Sequence, residues 1–180
     1  MNASVVAVHL SSGHTFSKIT KPEVELVVGH GARGDAHYGV TVKHRSRVAR
    51  DPNQPNLRQI HLLQSELFAA LAVKRLSVSP GEMGENVTTV GIDLLALSEG
   101  ACLRLGQTAV VQITGLRNPC SQIEGFQSDL LAAVLDRAPD GKLTRKAGVM
   151  GVVITAGIVQ PGDNITIVHE PSPFKALQPV

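Results

Sequence analysis

Cys102-Leu103-Arg104-Leu105-Gly106-Gln107-Thr108-Ala109-Val110-Val111-Gln112-Ile113-Thr114 is the stretch that decides the fold class. Two runs of alternating apolar residues flank a glycine-led pair, Gly106-Gln107, which reads as the two-residue turn of a β-hairpin. The chain then continues Gly115-Leu116-Arg117-Asn118-Pro119-Cys120. Cys120 therefore stands where a strand leaves its sheet, held by a proline and close in sequence to an arginine. A neighbouring cation favours thiolate over thiol, and the thiolate is both nucleophile and metal ligand. The same position also suits a small buried hydrophobe, the commoner state of a free cysteine. Cys102 lies within the alternating strand and reads as structural.

Working outward, Val5–Leu10, Val24–Val28, Leu57–Leu63, Asn86–Val90, Gly148–Thr155 and Asn164–His169 read as further strands, with a turn at Gln160-Pro161-Gly162-Asp163. Ser65 reads as the N-cap of a helix running to Leu76, and Gln127–Leu135 as a second helix. Between Gly29 and Asn56 no period persists, and the segment reads as a long, functional loop. About eight short strands with two helices and no regular β-α-β alternation predict a mainly β fold. The expected form is a closed or partly open antiparallel β-barrel with a few peripheral helices, forming one domain over 1–180. The tail from Pro171 to Val180 holds three prolines and is expected to be loosely held.

Hydrophobic residues make up 43% of the chain but aromatics only 3%, with no tryptophan, so the core has to be aliphatic. That composition argues against stacking single-stranded nucleic acid on aromatic rings. A net charge of +2 is too small to imply a polyanionic partner. No apolar run approaches the length of a membrane span. Met1 to Leu10 lacks a charged leader, so a cytoplasmic protein with reduced thiols is expected. Neither cysteine belongs to a C-x-x-C pair, which argues against a closed zinc site. P-loop, G-x-S-x-G, H-E-x-x-H and deaminase signatures are missing. No feature bears on oligomeric state.

Four segments carry polar residues without an evident packing role. In Gly31–Gly39, Asp35 and His37 share a face if the segment is extended, so that the carboxylate orients the imidazole. They form an Asp-turn with an exposed histidine if it is not. In Val42–Arg50, alternation aligns Lys43, Arg45 and Arg47 into a basic edge fit for one phosphate, or else into a solvated face. In Gly81–Asn86, Glu85 and Asn86 either stand at a pocket rim or belong to a plain turn. The Cys120 segment is the fourth.

Together these segments resemble the MOSC domain, named for the C-terminal domain of molybdenum-cofactor sulfurases, and most of all its small stand-alone bacterial members. The matching pieces are Gly34-Asp35-Ala36-His37, Arg58-Gln59-Ile60-His61-Leu62-Leu63, Gly84-Glu85-Asn86-Val87-Thr88-Thr89, Gly91-Ile92-Asp93-Leu94, Arg104-Leu105-Gly106 and Arg117-Asn118-Pro119-Cys120. Gly151-Val152 and Pro161-Gly162-Asp163 close the series, which spans residues 30 to 168 in family order. The resemblance implies a barrel like that of a pyruvate kinase domain, with Cys120 either ligating molybdenum or carrying sulfur as a persulfide. It implies a molybdenum cofactor of the Mo-molybdopterin type, with Arg45 and Arg47 on its phosphate. Asp35, His37, Glu85, Asn86, Arg117 and Asn118 are then the candidates lining the pocket.

The family is also associated with pyridoxal phosphate. This chain is too short for an aminotransferase-like domain beside the barrel and shows no Schiff-base lysine motif, so that cofactor is not expected here. By resemblance the protein is a molybdenum-dependent reductase of N-hydroxylated compounds. No flavin or iron–sulfur motif is visible, so a separate electron-donor protein would serve it. Alternatively it is a sulfur carrier loaded by a cysteine desulfurase, or a non-catalytic small-molecule-binding barrel.

Overall fold

Aliphatic residues form thirteen strands among the described residues. The computed structural model describes residues 2–137, 141 and 143–180, with the backbone alone at 45 and 46. The strands are β1 (Ser4–Leu10), β2 (Ile19–Lys21), β3 (Val24–Val27), β4 (Gly31–Ala32), β5 (Ile60–Gln64), β6 (Val87–Val90) and β7 (Cys102–Leu105). They continue with β8 (Ala109–Leu116), β9 (Leu135–Arg137), β10 (Leu143–Arg145), β11 (Val149–Thr155), β12 (Gly157–Val159) and β13 (Ile165–His169). The helices are α1 (Arg45–Val48), α2 (Glu66–Val73), α3 (Ser121–Phe126) and α4 (Leu130–Val134).

Eight strands form one sheet in the order β13-β7-β8-β11-β5-β6-β1-β2, with small sheets β12-β3-β4 and β10-β9 beside it. The mainly β expectation holds, and the large sheet is mixed and not closed. Its parallel pair, β5 with β6, follows from the connection between them, since α2 carries the chain across before β6 begins. The two ends approach nonetheless. Val5 N–H donates to the Asp163 carbonyl at 2.8 Å and Ile165 N–H to the Ala3 carbonyl at 2.9 Å, making a partly open barrel. The hairpin β7–β8 is present with a wider turn than the sequence predicts. Leu105 pairs with Ala109, so residues 106–108 form the loop, and Gly106 takes a φ of +67°.

Strand β8 alternates buried and half-buried positions along its whole length. Its inward residues Val111 and Ile113 pack with Leu26, Ile60, Leu62 and Leu103 in an aliphatic barrel core. Strand β5 is buried on both faces, with His61 as the one polar side chain among its four buried residues. Leu62 points into the barrel, while Leu63 joins Leu67, Leu71, Ile123, Leu130 and Val134 beneath the helices. The first helix is shorter than predicted. Ser65 is itself in helical conformation, with no side-chain cap bond, and Arg75 turns to a φ of +61° just past the end. The predicted second helix begins later, at α4, because Asp129 takes a φ of +68°. The preceding α3, directly after Cys120, was not foreseen.

The tail is not loose. Leu116 N–H donates to the Gln178 carbonyl at 2.8 Å, Glu99 N–H to the Lys175 carbonyl at 2.8 Å, and Leu177 is buried. It lies along the end of β8 that delivers the Cys120 segment. On the opposite side, Arg117 N–H donates to the Gly148 carbonyl at 3.0 Å. Gly148 has a φ of +89°, and a Cβ there would collide with the Leu62 carbonyl and the His61 ring. Gly148→Ala is expected to lose about 2 kcal/mol or more of unfolding free energy, read from denaturant midpoints.

Candidate functional site

The end of β8, the start of β5, the turn before β6, the segment after β1 and the long loop through α1 converge on one cavity of about 400 Å³. Strand β8 stops at Leu116, and the next residues carry Arg117, Asn118 and Cys120 to its wall. The Cys120 side chain is half-buried, and its thiol lies 3.6 Å from the Gln122 Oε1. Two guanidinium groups share this region. Arg117 Nη1 and Arg58 Nε are both buried without a hydrogen-bond partner among the described residues. Burial pulls Arg58 down to about 10, helped by Arg47 and Arg117, and the charge of Cys120 opposes that shift. Arg117 is lowered by burial as well, with Cys120 and Glu85 opposing. Both remain cations at neutral pH, and their buried N–H groups want an anion. The Arg117 guanidinium also stacks on the Phe16 ring, 5.7 Å from its centroid.

Asp35 anchors the other wall. Its side chain is wholly buried, and Oδ2 accepts from the Lys18 ammonium at 2.7 Å and from Asn86 Nδ2 at 3.1 Å. The same oxygen lies 3.4 Å from the Ser11 N–H, while Oδ1 accepts from the His37 N–H at 3.0 Å and lies 3.1 Å from His37 Nδ1. Burial opposes ionisation, but the His37 hydrogen bonds and the Lys18 charge outweigh it and hold the carboxyl well below the usual range. Asp35 and His37 therefore meet in an Asp-turn rather than on a strand face, and the contact between them survives.

Asn86 is a brace. Its Oδ1 accepts from the His61 N–H at 3.1 Å and its Nδ2 also reaches the His9 carbonyl at 3.3 Å, tying β5 to β1. His61 Nε2 donates to the Ala147 carbonyl at 2.7 Å, and burial keeps this imidazole neutral.

Other predicted residues land differently. Glu85 is not at the rim but fully buried behind it, because Gly84 and Asn86 take the cavity side. Its Oε1 accepts from the Gly81 N–H at 2.6 Å and the Thr88 hydroxyl at 2.8 Å, Oε2 has no partner among the described residues, and burial raises its pKa. The basic run is helical at α1, so the alternation predicted for Lys43, Arg45 and Arg47 does not occur. Arg47 lines the cavity; the Arg45 side chain lies outside the described residues. Asn118 is exposed on the cavity margin and accepts from Arg145 Nε at 3.2 Å. Cys102 is buried, with its thiol 3.5 Å from the Gly100 carbonyl.

Sequence reasoning missed Lys18, Phe16, His44, Arg50 and Arg58, all of them at the cavity. The spacing Arg47-x-x-Arg50 is the signal that a helical reading would have used. Lys18 carries no local signal at all. Burial lowers His44 to about 4, with Arg58 the largest of the charges assisting. Among the described residues no cluster of three His, Cys, Asp or Glu side chains is placed to hold a metal ion. No helix among them is long and apolar enough to cross a membrane.

The sequence matches the family model of the MOSC domain over residues 34–166. No curated protein shows significant similarity to it. Among solved structures, the YUAD protein from Bacillus subtilis superposes with a TM-score of 0.71 at 24% identity, covering 92% of this chain and 94% of that one. YiiM from Geobacillus stearothermophilus gives 0.68 at 19% identity over 97% of this chain and 79% of that one. YiiM from Escherichia coli gives 0.66 at 22% identity over 97% and 73%. At these identities the likeness establishes a shared fold.

Asp35→Asn leaves the Lys18 charge buried without its counter-ion, and such a loss costs about 3–5 kcal/mol near neutral pH. Because the folded-state pKa of Asp35 is depressed, its contribution is complete above the unfolded value of about 4 and fades below it. Urea unfolding at a series of pH values should therefore show a large gap between wild type and variant at pH 7 that narrows below about pH 4.

Proposed function

The chain belongs to the MOSC domain family, and from that premise we propose that its cavity binds an anionic cofactor of the molybdopterin type with Cys120 at the metal. The observation that carries this reading is a half-buried thiol sharing one cavity with two guanidinium groups whose buried N–H atoms lack partners. An unsatisfied buried donor costs about 1–3 kcal/mol, more when charged, and an anion in the cavity removes that cost. Among the described residues no ion pair engages Arg47, Arg50, Arg58 or Arg117.

The donor set fits the group. Guanidinium forks suit phosphate, and a soft thiolate suits a metal that already bears sulfur ligands. When bound, the cofactor supplies two-electron chemistry at molybdenum of the kind that reduces N-hydroxylated compounds. The chain's own residues then divide the work. Arg58, Arg117, Arg47 and Arg50 hold negative charge, and Cys120 presents its thiolate. Asp35 fixes Lys18 and His37 in the lining. His61 stays neutral and adds no competing charge. The Lys18 amine donates to Asp35 at 2.7 Å, and burial lowers its pKa. Reducing equivalents come from a separate electron-donor protein. Two free cysteines suit a reducing compartment such as the cytoplasm.

A second reading has one observation in its favour. Cys120 is only half-buried and lies beside cations that stabilise a persulfide anion, as a sulfur carrier loaded by a cysteine desulfurase would need.

Elemental mass spectrometry on protein made in a cofactor-producing host tests the first reading. Near-stoichiometric molybdenum is expected in the wild type, with at least about a tenfold loss in folded Cys120→Ser. Wild-type protein without molybdenum, gaining one sulfur on Cys120 after incubation with a cysteine desulfurase, would instead establish the carrier.

A further inference from the structure

Behind the cavity wall a chain of hydrogen bonds runs from the protein surface to a buried carboxyl group. Its outer end is Thr20, exposed on the edge strand β2 and paired across the sheet with His9. The Thr20 hydroxyl lies 3.1 Å from His9 Nδ1, and His9 Nε2 lies 3.0 Å from the Thr88 hydroxyl oxygen. The Thr88 hydroxyl donates to Glu85 Oε1 at 2.8 Å. His9, Thr88 and Glu85 are all fully buried, and none belongs to the anion-holding wall described above.

The chain has a direction. A hydroxyl has one proton, and Thr88 commits its own to Glu85, so Thr88 accepts from His9 Nε2–H. That leaves His9 Nδ1 as the acceptor for Thr20. Every link therefore donates inward, and the series ends on a carboxyl whose second oxygen has no partner among the described residues.

We propose that Thr20, His9 and Thr88 conduct protons from solvent to Glu85, which stores a proton beside the cavity. In one passage Thr20 takes a proton from a surface hydronium and gives its own to His9 Nδ1. His9 releases the Nε2 proton to Thr88, and Thr88 passes its proton to the Glu85 carboxylate. One hydronium becomes water and one carboxylate becomes carboxylic acid, with no change of oxidation state. Rotation of the carboxyl group brings the proton to the side of Oε2, and reversal of the hydroxyls and of the imidazole tautomer resets the path.

The surroundings fit this use. Burial favours a protonated Glu85, and the cations that act on it, Lys18 and Arg117, both line the cavity. The His9 imidazole is neutral at rest, because burial and then the Lys18 charge lower it to about 4, so it relays a proton without keeping it. Gly81 covers the relay closely. A Cβ there would stand 2.8 Å from His9 Nδ1. A reduction of N-hydroxylated compounds consumes protons, and the use of the stored proton in that reaction rests on the functional reading above. The path itself does not.

The test reads the path in the resting protein, without cofactor or turnover. The infrared carbonyl band of protonated Glu85 is identified by its loss in Glu85→Gln, and its isotope shift is followed after transfer into D2O. Exchange is expected to slow at least about tenfold in Thr20→Val and in His9→Phe, and to keep the wild-type rate in Thr20→Ser, which restores a hydroxyl. Thr20 is exposed, so Thr20→Val remains informative even if His9→Phe fails to fold. An unchanged rate in folded Thr20→Val, or no protonated Glu85 band at any pH where the protein is folded, would overturn the proposal. Because no metal enters the measurement, a negative molybdenum result leaves its outcome readable.

Discussion

The buried carboxylate of Asp35 draws together segments that the sheet alone would leave apart. It gathers the Lys18 ammonium, the His37 backbone and ring, the Asn86 amide and the Ser11 N–H around two oxygens. Those groups come from the segment after β1, the long loop before α1, and the turn into β6. Ladder hydrogen bonds fix the strands, but they do not fix these three connections, which together make one wall of the cavity. Asn86 extends the same network to β5 through the His61 N–H. An ionised carboxylate is costly to bury, and a nearby ammonium with several N–H donors makes it tolerable. The pair consumes the charge of Lys18. The cationic character of the cavity therefore rests on the arginines alone.

The part of the lining that carries Arg117 and Cys120 depends on how β8 ends. Its backbone is held on one side by the tail at Gln178 and on the other by Gly148. The residues just beyond, Arg117 to Cys120, leave the sheet from a fixed point. The Cys120 thiol and the Arg117 guanidinium are then held near Arg58, which precedes β5, and none of the ion pairs among the described residues engages either arginine. Glu85 is the nearest acid to Arg117 in electrostatic effect, yet it is bonded to Gly81 and Thr88 instead. Such a wall is suited to an incoming anion and poorly suited to standing empty.

Much of this was legible in the residues. Alternation in β7 and β8 gave the hairpin because one face of each strand is buried, and period 2 is the signature of that state. Cys120 and Arg117 were legible from their position after a strand and from the family motif. Asp35 and His37 were legible from the family motif, and of the two local readings, a shared strand face or an Asp-turn, the Asp-turn is the one that joins them. The basic run misled because Lys43, Arg45 and Arg47 fit an alternating pattern, whereas Arg47 lies in a four-residue helix too short for periodicity to arbitrate and Arg50 in the turn that follows it. Lys18 was invisible, because its partner lies seventeen residues away and only the folded chain brings the two together. The tail was misjudged from its prolines, although the residues between and after them make backbone bonds to Glu99 and Leu116.

In the proposed complex Cys120 itself meets the metal of a cofactor held by the arginines. Molybdenum X-ray absorption on the loaded protein measures this most directly, by counting sulfur atoms around the metal. One more sulfur in the wild type than in a molybdenum-bearing fraction of Cys120→Ser is the predicted result. The same sulfur count in both would rule out a Cys120–molybdenum bond and leave the thiol near the cofactor without a bond to its metal.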